Sequence, residues 1–342
     1  MLSKVLAHRA CGAGIPPDPA RRRPGGFPGA PPPAPYPCRF FIVAGMNIQK
    51  TTFDNFDAVE IKTARARMVI VTGIGPRIAH LSFIKGKRET RNLLFWDSPR
   101  KYQRGEWLLR GGHRVWGTRP FADESEECYA ADNEPCKVRI TARGVTVTAP
   151  KMDAYGVRRS ISVKVLEDAT FAVESAITSV TDMVWSGGAW SLTATLPKKG
   201  CTYGVPLGDN SEWDLFAIVI PKAWGGHGAP VNDPGITFTE HNMIFTPGGY
   251  ETKRMIQAPQ GLMGMTDAVE KVSFLKHSPF DRDGRYPMNC NLAFYNGPGN
   301  FMTEMESMGA ERMLKPGEVA RNAEVWALRD PIDWKKAKSV RI

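Results

Sequence analysis

Cysteine is scarce in this chain and poorly spaced for a metal site or a disulfide framework. The 342 residues hold six, Cys11, Cys38, Cys128, Cys136, Cys201 and Cys290, and no Cys-x-x-Cys pair. Structural zinc needs closely spaced thiolates, and seven residues separate Cys128 from Cys136. Free thiols in a reducing, cytoplasmic setting are the expectation, with a Cys128–Cys136 loop bridge as the minor alternative. Long apolar runs are also missing. None approaches the roughly 20 residues of a membrane-spanning helix, so no membrane partner is expected. No segment keeps apolar residues at helical spacing with good caps. There is no phosphate loop, no dinucleotide fingerprint and no Gly-x-Ser-x-Gly elbow. Asp281-Arg282-Asp283-Gly284 is a fragment of a calcium-loop pattern and reads as a turn. Neither a metal nor a cofactor is expected.

The formal charge of +10 suggests a nucleic-acid partner until its distribution is read. Residues 1–45 carry six Lys/Arg against one Asp, which is half of the excess. In the remainder both signs are interspersed, and no nucleic-acid partner is expected. Residues 1–45 also hold ten of the 27 prolines, with Arg21-Arg22-Arg23 and a Pro-rich run from Pro31. Such a composition cannot bury a core, and a disordered Pro/Arg-rich extension is expected there. It lacks the apolar segment of a secretory signal and fits a transit peptide loosely. The pattern changes sharply at Met46, so a translated leader ahead of Met46 is the favoured reading.

From residue 46 to 342 the expectation is a single all-β domain. Short apolar runs recur about every 10–15 residues, separated by Gly, Pro, Asn or Asp, which is the spacing of a sandwich or barrel. Val138–Ala142 and Val145–Thr148 flank Arg143-Gly144 as a hairpin. Ile161, Val163 and Val165 alternate with Ser162 and Lys164. Leu215–Ile220, Ile236–Thr239 and Val272–Lys276 read as further strands.

The segment with most chemistry is Asn291–Leu328. Asn296-Gly297-Pro298-Gly299-Asn300 is a strong turn signal between two apolar runs. On the second strand, alternation puts Met302, Glu304 and Glu306 on one face and Phe301, Thr303 and Met305 on the other. Two carboxylates sharing a face are either a solvated strand surface or the lining of a polar cleft, where a carboxylate can act as a base or grip hydroxyls.

Three ordered blocks then resemble the galactose mutarotase-like (aldose epimerase-like) superfamily. They are Arg110-Gly111-Gly112-His113-Arg114-Val115-Trp116; Ile177–Asp182 with Ala189-Trp190-Ser191-Leu192-Thr193; and Phe301–Ser307 with Leu314-Lys315-Pro316-Gly317-Glu318 and Trp326. Within it the chain is similar to a DUF4380-type branch. The resemblance implies a large antiparallel β-supersandwich with a sugar site and a small-molecule sugar or sugar acid as partner. It implies a C-terminal glutamate as base, Glu306 ahead of Glu304. It also implies a mid-chain histidine as acid, yet none stands near Trp190. His113 is the substitute acid, while His227 reads as a loop residue flanking a cleft and His241 as a hairpin residue. Arg114, Trp116, Trp190 and Lys276 are the expected substrate contacts, with Trp224 a further aromatic platform. The function implied is an aldose epimerase (mutarotase)-like isomerase. The alternatives are a non-catalytic carbohydrate-binding module on the same fold, or a uronate lyase using Arg114 with Tyr250 or Tyr286.

Overall fold

The computed structural model describes residues 45–97, 103–119, 124–208, 215–224 and 227–342. The expected extension at 1–45 lies outside these except for Gly45, and so do the side chain of Trp224 and the thiols Cys11 and Cys38. The other four cysteines are free. No helix among the described residues is long and apolar enough to cross a membrane.

Two large antiparallel sheets, of 11 and 10 strands, make up the fold. In the first, Arg77–Lys85 is followed in space by His113–Gly117, Ala189–Thr195, Thr303–Met308, Leu292–Asn296, Thr252–Gln257 and Ala217–Val219. In the second, Leu262–Asp267, Val272–His277, Val319–Arg329, Thr170–Ser179 and Val157–Glu167 run side by side. Hairpins supply some of these pairs, but His113–Gly117 with Ala189–Thr195, Ala189–Thr195 with Thr303–Met308, and Val319–Arg329 with both its neighbours are long-range pairings that assemble the centre of each sheet.

The local patterns explain the strands. In Val157–Glu167, Val157, Arg159, Ile161, Val163 and Val165 are buried and the residues between them are less so, the period-2 signature of a half-covered strand. The Lys137–Thr141 and Gly144–Thr148 hairpin forms at Arg143-Gly144 as expected. Leu292–Asn296 pairs with Thr303–Met308 across the Gly-Pro-Gly turn. Phe301 departs from the expectation. Its backbone is helical (φ −65°, ψ −30°), so strand alternation starts after it, and its ring joins the face of Met302 and Glu304.

The main core lies between the sheets. Phe245 meets Phe294 across it at 4.9 Å, and Trp326 meets His113 edge-on at 4.9 Å. The strands His113–Gly117, Ala189–Thr195 and Thr303–Met308 are buried on both faces. The second sheet covers one face. A smaller aromatic cluster including Trp107, Trp116, Trp190 and Met302 covers the other. Gly111 and Gly112 set the entry to the first of these strands. Both have positive φ (80° and 69°), and an added Cβ would strike the carbonyls of Phe95 and Ile78.

Candidate active site

The outer face of the first sheet carries a cavity of about 460 Å³, within the size range of small-molecule sites. Register aligns its floor. Trp190 stands opposite Trp116, and Leu192 stands between Arg114 and Glu306. Tyr295 stands between Glu304 and Lys253. Strand alternation then sends all of these side chains to the same side. Glu304 and Glu306 thus share the cavity, with exposures of only 5 % and 0 %. The solvated-face reading of this glutamate pair is excluded.

Aromatic rings wall the cavity. Trp116 packs edge-to-face on Trp190 (5.7 Å) and on Trp107 (5.6 Å), and Tyr129 meets both Trp107 and Trp116 at 5.3 Å. Rigid ring walls with polar tips suit a ligand that has apolar faces and polar edges.

Each carboxylate is matched by a cation. Arg114 Nη1 donates to Glu304 Oε1 at 2.7 Å, and its guanidinium lies 4.4 Å from the centre of the Trp116 ring. Trp190 Nε1 donates to Glu306 Oε2 at 3.0 Å, and Lys253 Nζ lies 3.9 Å from that same oxygen. Lys253 Nζ also sits 4.8 Å from the Trp190 ring centre. These are cation–π distances, so the aromatic floor and the charged groups hold one another in place.

A histidine reaches the cavity, but not the one expected. His227 lines it, with Nδ1 2.9 Å from Glu251 Oε1. Tyr295 OH donates to the same Glu251 oxygen at 2.7 Å. A carboxylate that accepts from Nδ1–H fixes the orientation of the ring.

His113 and Lys276 are not brought to the cavity. His113 precedes Arg114, so it points to the opposite face of the strand and is wholly buried between the sheets. Its Nδ1 lies 2.9 Å from Thr193 Oγ1 and its Nε2 3.1 Å from Ser175 Oγ. Burial, with the charges of Lys276 and Arg114 adding to it, holds its pKa well below the usual histidine value. A proton donor needs contact with the ligand, and His113 is not among the residues that line the cavity. Lys276 likewise lies inside the sandwich at 1 % exposure. It donates to Thr193 Oγ1 (2.7 Å) and Met305 O (2.9 Å) and pairs with Glu324 at 3.0 Å. Burial lowers its pKa, against the opposing effect of Glu324. The tyrosines of the lyase reading are also outside the cavity lining. Tyr250 is exposed, and Tyr286 OH accepts from Asp281 N at 3.0 Å.

Sequence reading missed Trp107, Tyr129, Lys253 and Tyr295 as lining residues. Lys253 had a visible signal, a basic pair (Lys253-Arg254) inside a strand that is otherwise apolar at Met255 and Ile256. Trp107 and Tyr129, on a two-residue strand and a short 3-10 turn, had none, and Tyr295 on the strand Leu292–Asn296 was placed only by its register with Glu304 and Lys253.

An antiparallel supersandwich with an acidic, tryptophan-walled cavity on one sheet is the class that fold and site define. Comparison with solved structures names the fold. A galactose mutarotase-like protein from Lactobacillus casei superposes with a TM-score of 0.54 at 13 % identity, covering 80 % of this chain and 100 % of that one. A galactose mutarotase-like protein from Clostridium acetobutylicum gives 0.52 at 10 %, covering 84 % and 99 %. A TPR-domain containing protein from Parabacteroides distasonis gives 0.53 at 14 %, covering 84 % of this chain and 49 % of that one. No family model and no curated protein matches. The chain therefore shares the galactose mutarotase-like fold, and at these identities the likeness says nothing of chemistry.

Proposed function

We propose that this protein binds a saccharide ring in the cavity and interconverts its anomers, as an aldose epimerase-like isomerase. The observation that carries the reading is the pairing of two buried carboxylates with a tryptophan wall. Glu304 and Glu306 stand beside Trp116 and Trp190 in a hollow of about 460 Å³. A pyranose offers C–H faces to such rings and hydroxyls to such carboxylates.

In this reading one carboxylate takes the proton of the anomeric hydroxyl while a donor protonates the ring oxygen. The C–O bond to the ring opens to the free aldehyde, the bond next to it rotates, and reclosure with the protons returned gives the other anomer. Glu306 is retained as the first choice of base, with Glu304 as the alternative. His227 replaces His113 as donor, since it is the histidine that lines the cavity and its Nδ1 is anchored by Glu251.

A second reading has one specific support. Both carboxylates are already engaged by Arg114, Lys253 and Trp190, which also suits a carbohydrate-binding module without chemistry. Saturation-transfer NMR and polarimetry over a panel of aldoses separate the two. Anomer exchange above the buffer rate, lost in Glu306→Gln or Glu304→Gln and reduced in His227→Gln, supports the isomerase. Binding without faster exchange supports the module. No interaction with any aldose, uronate or sugar phosphate removes both.

A further inference from the structure

A second cavity of about 370 Å³ lies next to the first, between the loops at 130–134 and 149–154. Arg114 lines both cavities. Its Nη1 is committed to Glu304 on the side of the first. Its Nε is buried with no hydrogen-bond partner among the described residues, although the whole side chain is only 3 % exposed. Arg159 lines the second cavity too, at 8 % exposure, and its Nε is in the same condition. Asp132, also in the lining, has in Oδ1 a buried acceptor that receives no donor among the described residues. Buried polar groups are costly unless satisfied, so two donors and an acceptor around one hollow mark a place for a polar ligand.

The donors and acceptors that line it select its class. Four carboxylates line the cavity, those of Glu106, Asp132, Glu134 and Asp153, against three cations, Arg114, Arg159 and Lys151. Asp153, Glu134 and Asp132 are already paired, with Arg159 at 3.1 Å, Lys151 at 2.6 Å and Arg77 at 2.6 Å. A carboxylate or a phosphate dianion would gain the arginines but offers no donor to Asp132 Oδ1. A hydroxyl both donates and accepts, and so satisfies arginine Nε and aspartate Oδ together.

We propose that this second cavity is a subsite for a neutral polyhydroxylated group, the next residue of an oligosaccharide whose first ring occupies the tryptophan-walled cavity. Arg114 would then touch both rings. The inference rests on the saccharide reading of the first cavity, and its test reports the two cavities separately.

The test is NMR of the full chain with labelled alanine methyls and tryptophan indoles. The methyls of Ala131, Ala149 and Ala154 report the second cavity, and the indoles of Trp116 and Trp190 report the first. The panel is glucose, galactose, maltose, cellobiose, lactose, raffinose, glucuronate and inorganic phosphate. Neutral di- or trisaccharides are expected to shift both sets of signals and to bind at least about tenfold more tightly than the matching monosaccharide. Ala131→Trp, a change at an exposed position on the rim, should abolish that ratio and leave monosaccharide binding unchanged. Shifts of the alanine methyls by phosphate or glucuronate but by no neutral sugar would overturn the proposal in favour of an anion site. Silent alanine methyls across the panel would overturn it outright, and responding indoles would then leave the first-cavity reading standing. Responding methyls with silent indoles would keep a polyol site, refute its place in a shared oligosaccharide and remove support from the first-cavity reading.

Discussion

The same three strands present two polar faces that use similar residues to opposite ends. Outward, Arg114, Trp190, Glu304 and Glu306 edge an open hollow with Lys253. Inward, His113, Thr193, Ser191 and Ser307 join Lys276, Glu324, Ser175 and Asn322 in a sealed network. Inside, the hydrogen bonds form chains. Lys276 donates to Thr193 Oγ1, which leaves the Thr193 hydroxyl hydrogen for His113 Nδ1 and His113 Nε2–H for Ser175. Glu324 accepts from Trp326 Nε1 at 3.0 Å and from Ser307 Oγ, besides its ion pair with Lys276. Asn322 Nδ2 donates to Ser191 Oγ and Ser307 O. A network so closed fixes the register of one sheet on the other and leaves no group for a ligand. Outside, the charged groups border empty volume. Charge and burial are alike on the two faces, and the cavity makes the difference.

The comparison breaks most visibly if the outer face does no chemistry. Glu306→Gln is expected to cut anomer exchange by roughly 10²–10⁴-fold with the fold retained, as polarimetry would show. An unchanged rate in both Glu306→Gln and Glu304→Gln would make the outer face a binding surface only. On the inner face the expected loss is stability. Lys276→Met strands Glu324 inside the sandwich and should cost about 3–5 kcal/mol in urea unfolding. A cost below about 1 kcal/mol would show that the network is not what joins the sheets.

Acid sharpens the contrast. Burial lowers the pKa of His113, and it lowers that of His80 to about 4. The unfolded chain protonates near pH 6.5 while the native state refuses the proton. The stabilisation is therefore complete above about pH 6.5 and declines as pH falls below it, by up to about 1.4 kcal/mol per pH unit for each histidine. Urea midpoints between pH 4.5 and 7.5 would show the slope, and His113→Gln should remove its own share. The smallest effect is expected at Trp116. Trp116→Leu removes the ring beneath Arg114, and sugar affinity by titration calorimetry should weaken roughly 3- to 10-fold. An unaltered affinity would remove Trp116 from the ligand's path.

Much of this was legible. Alternation placed Glu304 and Glu306 together because a strand's two-residue period is local, and the Gly-Pro-Gly turn announced their hairpin. The same rule already separated His113 from Arg114, since adjacent strand residues face opposite ways. It could not say which of the two faced the hollow. That depends on which side the second sheet covers, and Trp326 and Ser175, which close over His113, come from strands far along the chain. Lys276 was unreadable for the same reason, as its partner Glu324 is 48 residues away on a neighbouring strand. His227 was legible as a loop residue flanking a cleft, but its anchoring by Glu251, which Tyr295 also holds, needed the tertiary structure.

By itself the sequence determined the strand-and-turn alternation and the shared face of the two glutamates, because both follow from backbone geometry within a few residues. Only the tertiary structure decided which polar face is sealed and which is open. Burial and cavity shape are set by what packs from elsewhere in the chain, and no local pattern encodes that.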